Sequence, residues 1–130
     1  TILSLGSTKK KLTVVHDQIS SPTYAKDLAK ICLDILHSKS LKKISEKGRI
    51  YHYSNDGETS WFDFALEILK IGKINCVVQA VQSKDYSTKA KRPYYSVLDK
   101  RKIKKDFNVE IPNWQESLKY CILKIKKYKN

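Results

Sequence analysis

The chain contains no methionine, not even at position 1, so the sequence is expected to begin within a longer protein or to have been trimmed. Glycine is scarce as well. The four glycines, at positions 6, 48, 57 and 72, allow no GxGxxG turn and no P-loop, so the chain has no nucleotide fingerprint of its own. The three cysteines, Cys32, Cys76 and Cys121, lie far apart without a CxxC pair or a Cys/His cluster, which argues against a zinc site. Cys32 and Cys121 fall on the apolar stripes of predicted helices and read as small buried thiols, pointing to a reducing, cytoplasmic compartment. No apolar run approaches the roughly 18 residues that a membrane span needs. The opening Thr1-Ile2-Leu3-Ser4-Leu5-Gly6 has neither the basic region nor the apolar stretch of a signal peptide.

The 130 residues suit one domain or part of a larger one, and 41% hydrophobic with 30% charged residues is the balance of a globular chain rather than a disordered tail. The charge is lopsided at +13, which attracts polyanions in general. Most of the excess is lysine, with only Arg49, Arg92 and Arg101 to offer the planar fork suited to phosphate or base recognition. No helix-turn-helix, RNP or KH pattern accompanies the charge, so specific nucleic-acid binding is not expected.

Along the chain, helical and strand patterns interleave. Leu12 to His16 is a β-branched strand, and Ser21-Pro22 reads as the N-cap and first residue of a helix. Tyr24, Leu28, Ile31, Cys32 and Ile35 give that helix an apolar face, and Ser38 to Gly48 closes it. Arg49 to Ser54 is an aromatic and β-branched strand ended by the Asn55-Asp56-Gly57 turn. Ser60 with Asp63 forms a capping box for a helix whose stripe is Trp61, Phe64, Ala65, Ile68 and Leu69, with Gly72 just past its end. Cys76 to Val81 is a further strand, and Ser83 to Pro93 a polar loop. Ser96 to Leu98 reads as a short strand, Asp99 caps a basic helical turn through Phe107, and Asn113 with Glu116 opens a final amphipathic helix. The pattern is α/β, with strands too few and too short for a complete domain of that class.

Four of these segments, in order, resemble the dTDP-4-dehydrorhamnose reductase family of extended short-chain dehydrogenases. Val15 to Ala29 is similar to its DQxGSPTYAxDLA stretch, and Ile50 to Ala65 to its YHxSNxGxxSWYEFA stretch. Arg92-Pro93-Tyr94-Tyr95-Ser96-Val97-Leu98-Asp99 resembles its RPxxSxLD segment, and Ile111 to Leu118 its final WxxSL helix. Ser20 departs from the usual glycine and Ser87 from a common proline, which bears on loop conformation. The resemblance implies residues 1–130 as the C-terminal substrate-binding portion of a Rossmann-type NAD(P)-binding fold, with an incomplete sheet. It implies an N-terminal part, absent from this sequence, that holds NADPH together with the catalytic YxxxK pair. In that family the tyrosine donates a proton to a sugar carbonyl, and the lysine lowers the tyrosine's pKa. The parent would be a cytoplasmic oxidoreductase reducing a 4-keto dTDP-sugar on the route to dTDP-rhamnose and cell-wall polysaccharide, with a homodimer as its assembly. The portion in hand would be inactive alone. The rival expectation is a non-catalytic subunit that kept the sugar-nucleotide fold.

The same resemblance singles out candidate substrate-binding residues: Gln18, Ser21, Thr23, Trp61 and Arg92. Arg92 precedes a proline where related enzymes hold the sugar-nucleotide diphosphate, and a guanidinium supplies bidentate donors for phosphate oxygens. Gln18, Ser21 and Thr23 lie in a loop expected to face the cleft, though Ser21 is equally explained as an N-cap. Trp61 follows a cap and suits either stacking on a base or core packing. No residue is expected to be catalytic, to bind the cofactor or to hold a metal. Tyr120-Lys124 has the spacing of a dyad but lies on a terminal helix. The Ile50 to Ser54 strand is expected to belong to the sheet of the absent part, leaving an unpaired edge.

Overall fold

The computed structural model describes residues 1–39, 48–88 and 90–128. Helix α1 spans Ile2–Thr8, and strand β1 spans Lys11–Val15, followed by the two-residue strand β2 at Ile19–Ser20. Helix α2 covers Ala25–His37, strand β3 Thr59–Ser60 and helix α3 Trp61–Gly72. Strand β4 at Val77–Val81, a single 3-10 turn at Ser83–Asp85, helix α4 at Arg101–Phe107 and helix α5 at Trp114–Lys127 complete the order.

The β-branched runs pair in parallel, β1 against β4 with Lys11 opposite Val77 and Val15 opposite Val81. A second ladder is antiparallel, β2 against β3, with Ile19 opposite Ser60. Such two-stranded pieces are marginal alone, and α3 supplies the cover by packing on both β1 and β4. Helix α1 reaches α3 closely because Gly6 has no side chain: a Cβ there would sit 2.5 Å from Leu69. One core cluster joins α3 to α5 through Ile68, Trp114, Leu118 and Ile122. A second joins α2 to α4 through Ile31 and Ile103, with Ile111 and the rings of Tyr51, Tyr53 and Phe107. Among the described residues no helix is long and apolar enough to cross a membrane.

Asn55 links the two clusters. It is fully buried, and its Oδ1 accepts from the Tyr24 amide at 2.7 Å, capping α2 from a distant part of the chain. Its Nδ2 donates to Asp27 at 2.7 Å, to Ser117 at 2.9 Å and to the Pro112 carbonyl at 3.2 Å. The neighbouring Asp56 is held by Lys100 and Lys104, so the basic first turns of α4 are fastened to the same bend.

The observed elements differ from the expected ones where tertiary contacts prevail. Helix α2 starts at Ala25 rather than at Pro22, because the Ser21 hydroxyl donates to the Gly57 carbonyl at 2.6 Å and Asn55 supplies the cap. Its inner face runs through Tyr24, Asp27, Ile31 and Ile35, so Cys32 is exposed rather than buried and Leu28 is 38% exposed. Cys121 is half-buried. The Ile50 to Ser54 segment joins no strand among the described residues, its tyrosines being turned onto the second cluster. Helix α3 includes Gly72, and Lys73 takes the left-handed cap at φ 56°. Ser96 to Leu98 makes no strand, although the Ser96 amide donates to the Ile19 carbonyl at 2.9 Å. The Ser60–Asp63 cap is present, with the Asp63 amide donating to Ser60 Oγ at 2.9 Å, and Asn113 caps α5 through the Gln115 amide. Residues 40–47 of the expected connection lie outside the described residues.

Candidate functional site

A cleft of about 400 Å³ opens beside the sheet, between α1, the face of β1 and the loop that follows β4. Ile2, Leu5, Leu12 and Val14 give it an apolar wall. Three of the five residues expected from the sequence meet here: Gln18, Trp61 and Arg92. Each arrives by a different local cause. Gln18 follows β1 in the turn toward β2, and Trp61 is the first residue of α3, set by the Ser60 cap. Arg92 lies two residues before Tyr94, whose carbonyl accepts from the Ile19 amide at 2.7 Å.

Their surroundings differ from those of core residues. Trp61 is 50% exposed and meets Phe64 edge-on at 6.2 Å, and Phe64 in turn meets Trp114 at 5.6 Å. Its ring thus has an edge-on aromatic neighbour and is half exposed. Arg92 is exposed and has no hydrogen-bond or ion-pair partner among the described residues. Gln18 Nε2 donates to Ser83 Oγ at 2.9 Å.

Ser21 and Thr23 lie elsewhere. The Ser21 hydroxyl is committed to the Gly57 carbonyl, and Thr23 borders a separate small cavity of about 80 Å³ between Tyr24, Phe64 and Trp114. Tyr120 and Lys124 line a different groove between α2 and α5, away from Arg92. The cleft also contains Tyr86 and Thr88, which sequence reasoning passed over because they fall in a polar loop without periodicity.

Beside the cleft loop, Asp17 and Tyr95 are shifted from their ordinary ranges. The hydroxyl and amide of Ser83 hold the Asp17 carboxyl below the usual carboxylate range. The Tyr95 hydroxyl, donating to Glu58 at 2.8 Å, is pushed up mainly by that bond. Among the described residues the cleft thus offers an unpaired cation, a half-exposed aromatic ring, polar side chains and an apolar wall. That set suits a phosphate, a flat ring and sugar hydroxyls in one ligand. Among the described residues there is no cluster able to hold a metal ion, and no glycine-rich turn at a helix start is present to cradle a dinucleotide.

The family described as RmlD substrate binding domain matches residues 1–127. Over 119 residues the chain is 39% identical to the spore coat polysaccharide biosynthesis protein SpsK of Bacillus subtilis, covering 92% of this chain and 39% of that protein. A crystal structure of a dTDP-4-dehydrorhamnose reductase ortholog from Clostridium acetobutylicum superposes with a TM-score of 0.84 at 32% identity, covering 96% of this chain and 42% of the other. The dTDP-4-dehydrorhamnose reductase from Bacillus anthracis, solved in complex with NADP, gives 0.80 at 28% identity, covering 95% and 41%. The chain thus spans about two fifths of the length of the relatives it matches.

Proposed function

The chain belongs to the RmlD substrate binding domain family, and from that premise we propose that it forms the sugar-nucleotide side of the cleft in an NADPH-dependent dTDP-4-dehydrorhamnose reductase. The observation that carries the reading is the convergence of Gln18, Trp61 and Arg92, from three separate segments, on one cleft. Arg92 takes the diphosphate, Trp61 offers its ring to the base or sugar, and Gln18 meets a polar group of the ligand. The residues present do not fit a dinucleotide, so NADPH and the proton donor belong to the remainder of the parent protein. The chain alone is then inactive. The parent is a cytoplasmic homodimer supplying a precursor for cell-wall polysaccharide.

The test is calorimetric titration of dTDP into the full-length protein and its Arg92→Ala variant. A charged hydrogen-bonding group of this kind contributes about 1.5–3 kcal/mol, so binding should weaken roughly 10- to 100-fold. NADPH oxidation with a 4-keto dTDP-sugar should occur with the full-length protein and not with residues 1–130. An unchanged affinity in Arg92→Ala, or turnover by the chain alone, would refute the reading.

A further inference from the structure

The turn after β1 carries a relay of hydrogen bonds with a fixed direction. The Asp17 carboxylate accepts from the Ser83 amide at 3.0 and 2.9 Å and from the Ser83 hydroxyl at 2.6 Å. A carboxylate only accepts, so the single hydroxyl proton of Ser83 is committed to Asp17. Only lone pairs of Ser83 remain for Gln18, which must present its Nε2, as observed at 2.9 Å. The carbonyl oxygen of Gln18 is thereby left as a free acceptor, without a partner among the described residues. An aspartate is ionised at neutral pH, and the Ser83 bonds hold this carboxyl lower still, so the relay does not reverse.

The adjoining residue fastens the other end of the same loop. The Ile19 amide donates to the Tyr94 carbonyl at 2.7 Å, and its own carbonyl accepts from the Ser96 amide at 2.9 Å. Asp17 and Ile19 therefore pin the loop at Ser83 and at Tyr94. Tyr86, Thr88 and Arg92, all bordering the cleft, lie between the two pins.

We propose that Asp17 is a positioning residue of this cleft: through Ser83 it fixes Gln18 as a hydrogen-bond acceptor for an N–H or O–H of the bound sugar nucleotide, and it holds the loop that carries Tyr86 and Arg92. This rests on reading the cleft as the sugar-nucleotide site. Asp17 touches no ligand itself and acts only through Ser83.

The test measures dTDP affinity by calorimetry in the full-length protein, with hydrogen exchange followed over Ser83 to Thr88. Asp17→Ala and Ser83→Ala should each weaken dTDP about tenfold, the change that one ordinary hydrogen bond supports. The double variant should be no worse than either single one, because both break one relay. Asp17→Asn keeps one acceptor oxygen for the Ser83 hydroxyl but sets an NH2 against the Ser83 amide, so it should recover only part of the affinity. Exchange over the loop should rise in Asp17→Ala. Should Asp17→Ala not fold, Ser83→Ala carries the same expectation for affinity. Losses that multiply in the double variant, or unchanged affinity and exchange in the single ones while Arg92→Ala still weakens dTDP, overturn the positioning role and leave the functional reading standing. A wild-type protein that does not bind dTDP overturns that reading and this proposal with it.

Discussion

Replacing Asn55 by alanine should destabilise the protein more than any single change at the cleft. Asn55 is fully buried, and its side chain meets four partners: the Tyr24 amide, Asp27, Ser117 and the Pro112 carbonyl. Alanine removes the group that caps α2, a loss of about 1 kcal/mol. It also leaves the Asp27 carboxylate with one donor fewer, and a hydrogen bond to a charged group contributes about 1.5–3 kcal/mol. The partners are left behind rather than removed with it, so little of this is recovered by relaxation. The expected loss is about 3 kcal/mol, which places the substitution in the tail of ordinary mutational effects.

Urea denaturation followed by tryptophan fluorescence reads this directly, since Trp114 is 7% exposed in the α3–α5 cluster. With a urea slope of about 1–3 kcal/mol/M for a protein of this size, the midpoint should fall by roughly 1–3 M. Asn55→Asp should be worse still, because the donors vanish and a second carboxylate faces Asp27. A loss below about 1 kcal/mol for the alanine variant would refute the view that this side chain joins α2 to α5.

Three further outcomes follow from single side chains. The Tyr53 hydroxyl is buried without a hydrogen-bond partner among the described residues, so Tyr53→Phe should raise stability by about 1 kcal/mol in the same urea experiment, and a loss would show that the hydroxyl is satisfied. Burial, reinforced by the charges of Asp27 and Asp56, pushes the Tyr53 phenol from 10.0 up to about 12. The folded value lies above the unfolded one, so this contribution is full below pH 10 and is lost as pH rises toward about 12, and an absorbance titration at alkaline pH should show a late phenol that Tyr53→Phe removes. Gly57 has φ +87°, and an added Cβ would lie 2.9 Å from both Asn113 and Trp114, so Gly57→Ala should lower the urea midpoint by the equivalent of about 2 kcal/mol or more; an unchanged midpoint would refute the strain.

What could be read from the sequence was whatever depends on near neighbours. The Ser60–Asp63 cap needs residues three apart, and β1 and β4 are short runs of β-branched residues; each appears where its pattern lies. Ser21 misled because a serine before a proline is a sound helix start in isolation. In the folded chain Gly57, 36 positions away, takes its hydroxyl, and Asn55 caps α2 instead. The stripe of α2 shifted for a related reason: Asp27 faces inward to meet Asn55 and Ser117, turning Cys32 out. A helical period alone assigns no carboxylate to an inner face. Helix α1 was missed because its close approach to α3 depends on Gly6 meeting Leu69, a contact without a local signature.

The cleft residues were legible as a set only through resemblance, and the structure supplies the physical distinction among them. Several polar side chains that support the fold find partners: Asn55 meets four, Ser117 bonds to Asp27, and the Ser21 hydroxyl reaches Gly57. The three proposed to meet a ligand do not. The Arg92 guanidinium, the Trp61 indole N–H and the Gln18 carbonyl have no partner among the described residues, although all three border one concave surface. Forming a hydrogen bond to an ordered group costs less entropy than ordering that group on binding. A site built this way gains from being held still by bonds one step removed from the ligand. In the proposed site Asp17 and Ser83 would do this for Gln18, as Phe64 would for Trp61. A sequence shows Asp17, Gln18 and Ser21 as three polar residues around one turn. Only their bonding separates the proposed brace, the proposed ligand contact and the hydroxyl that is tied to Gly57.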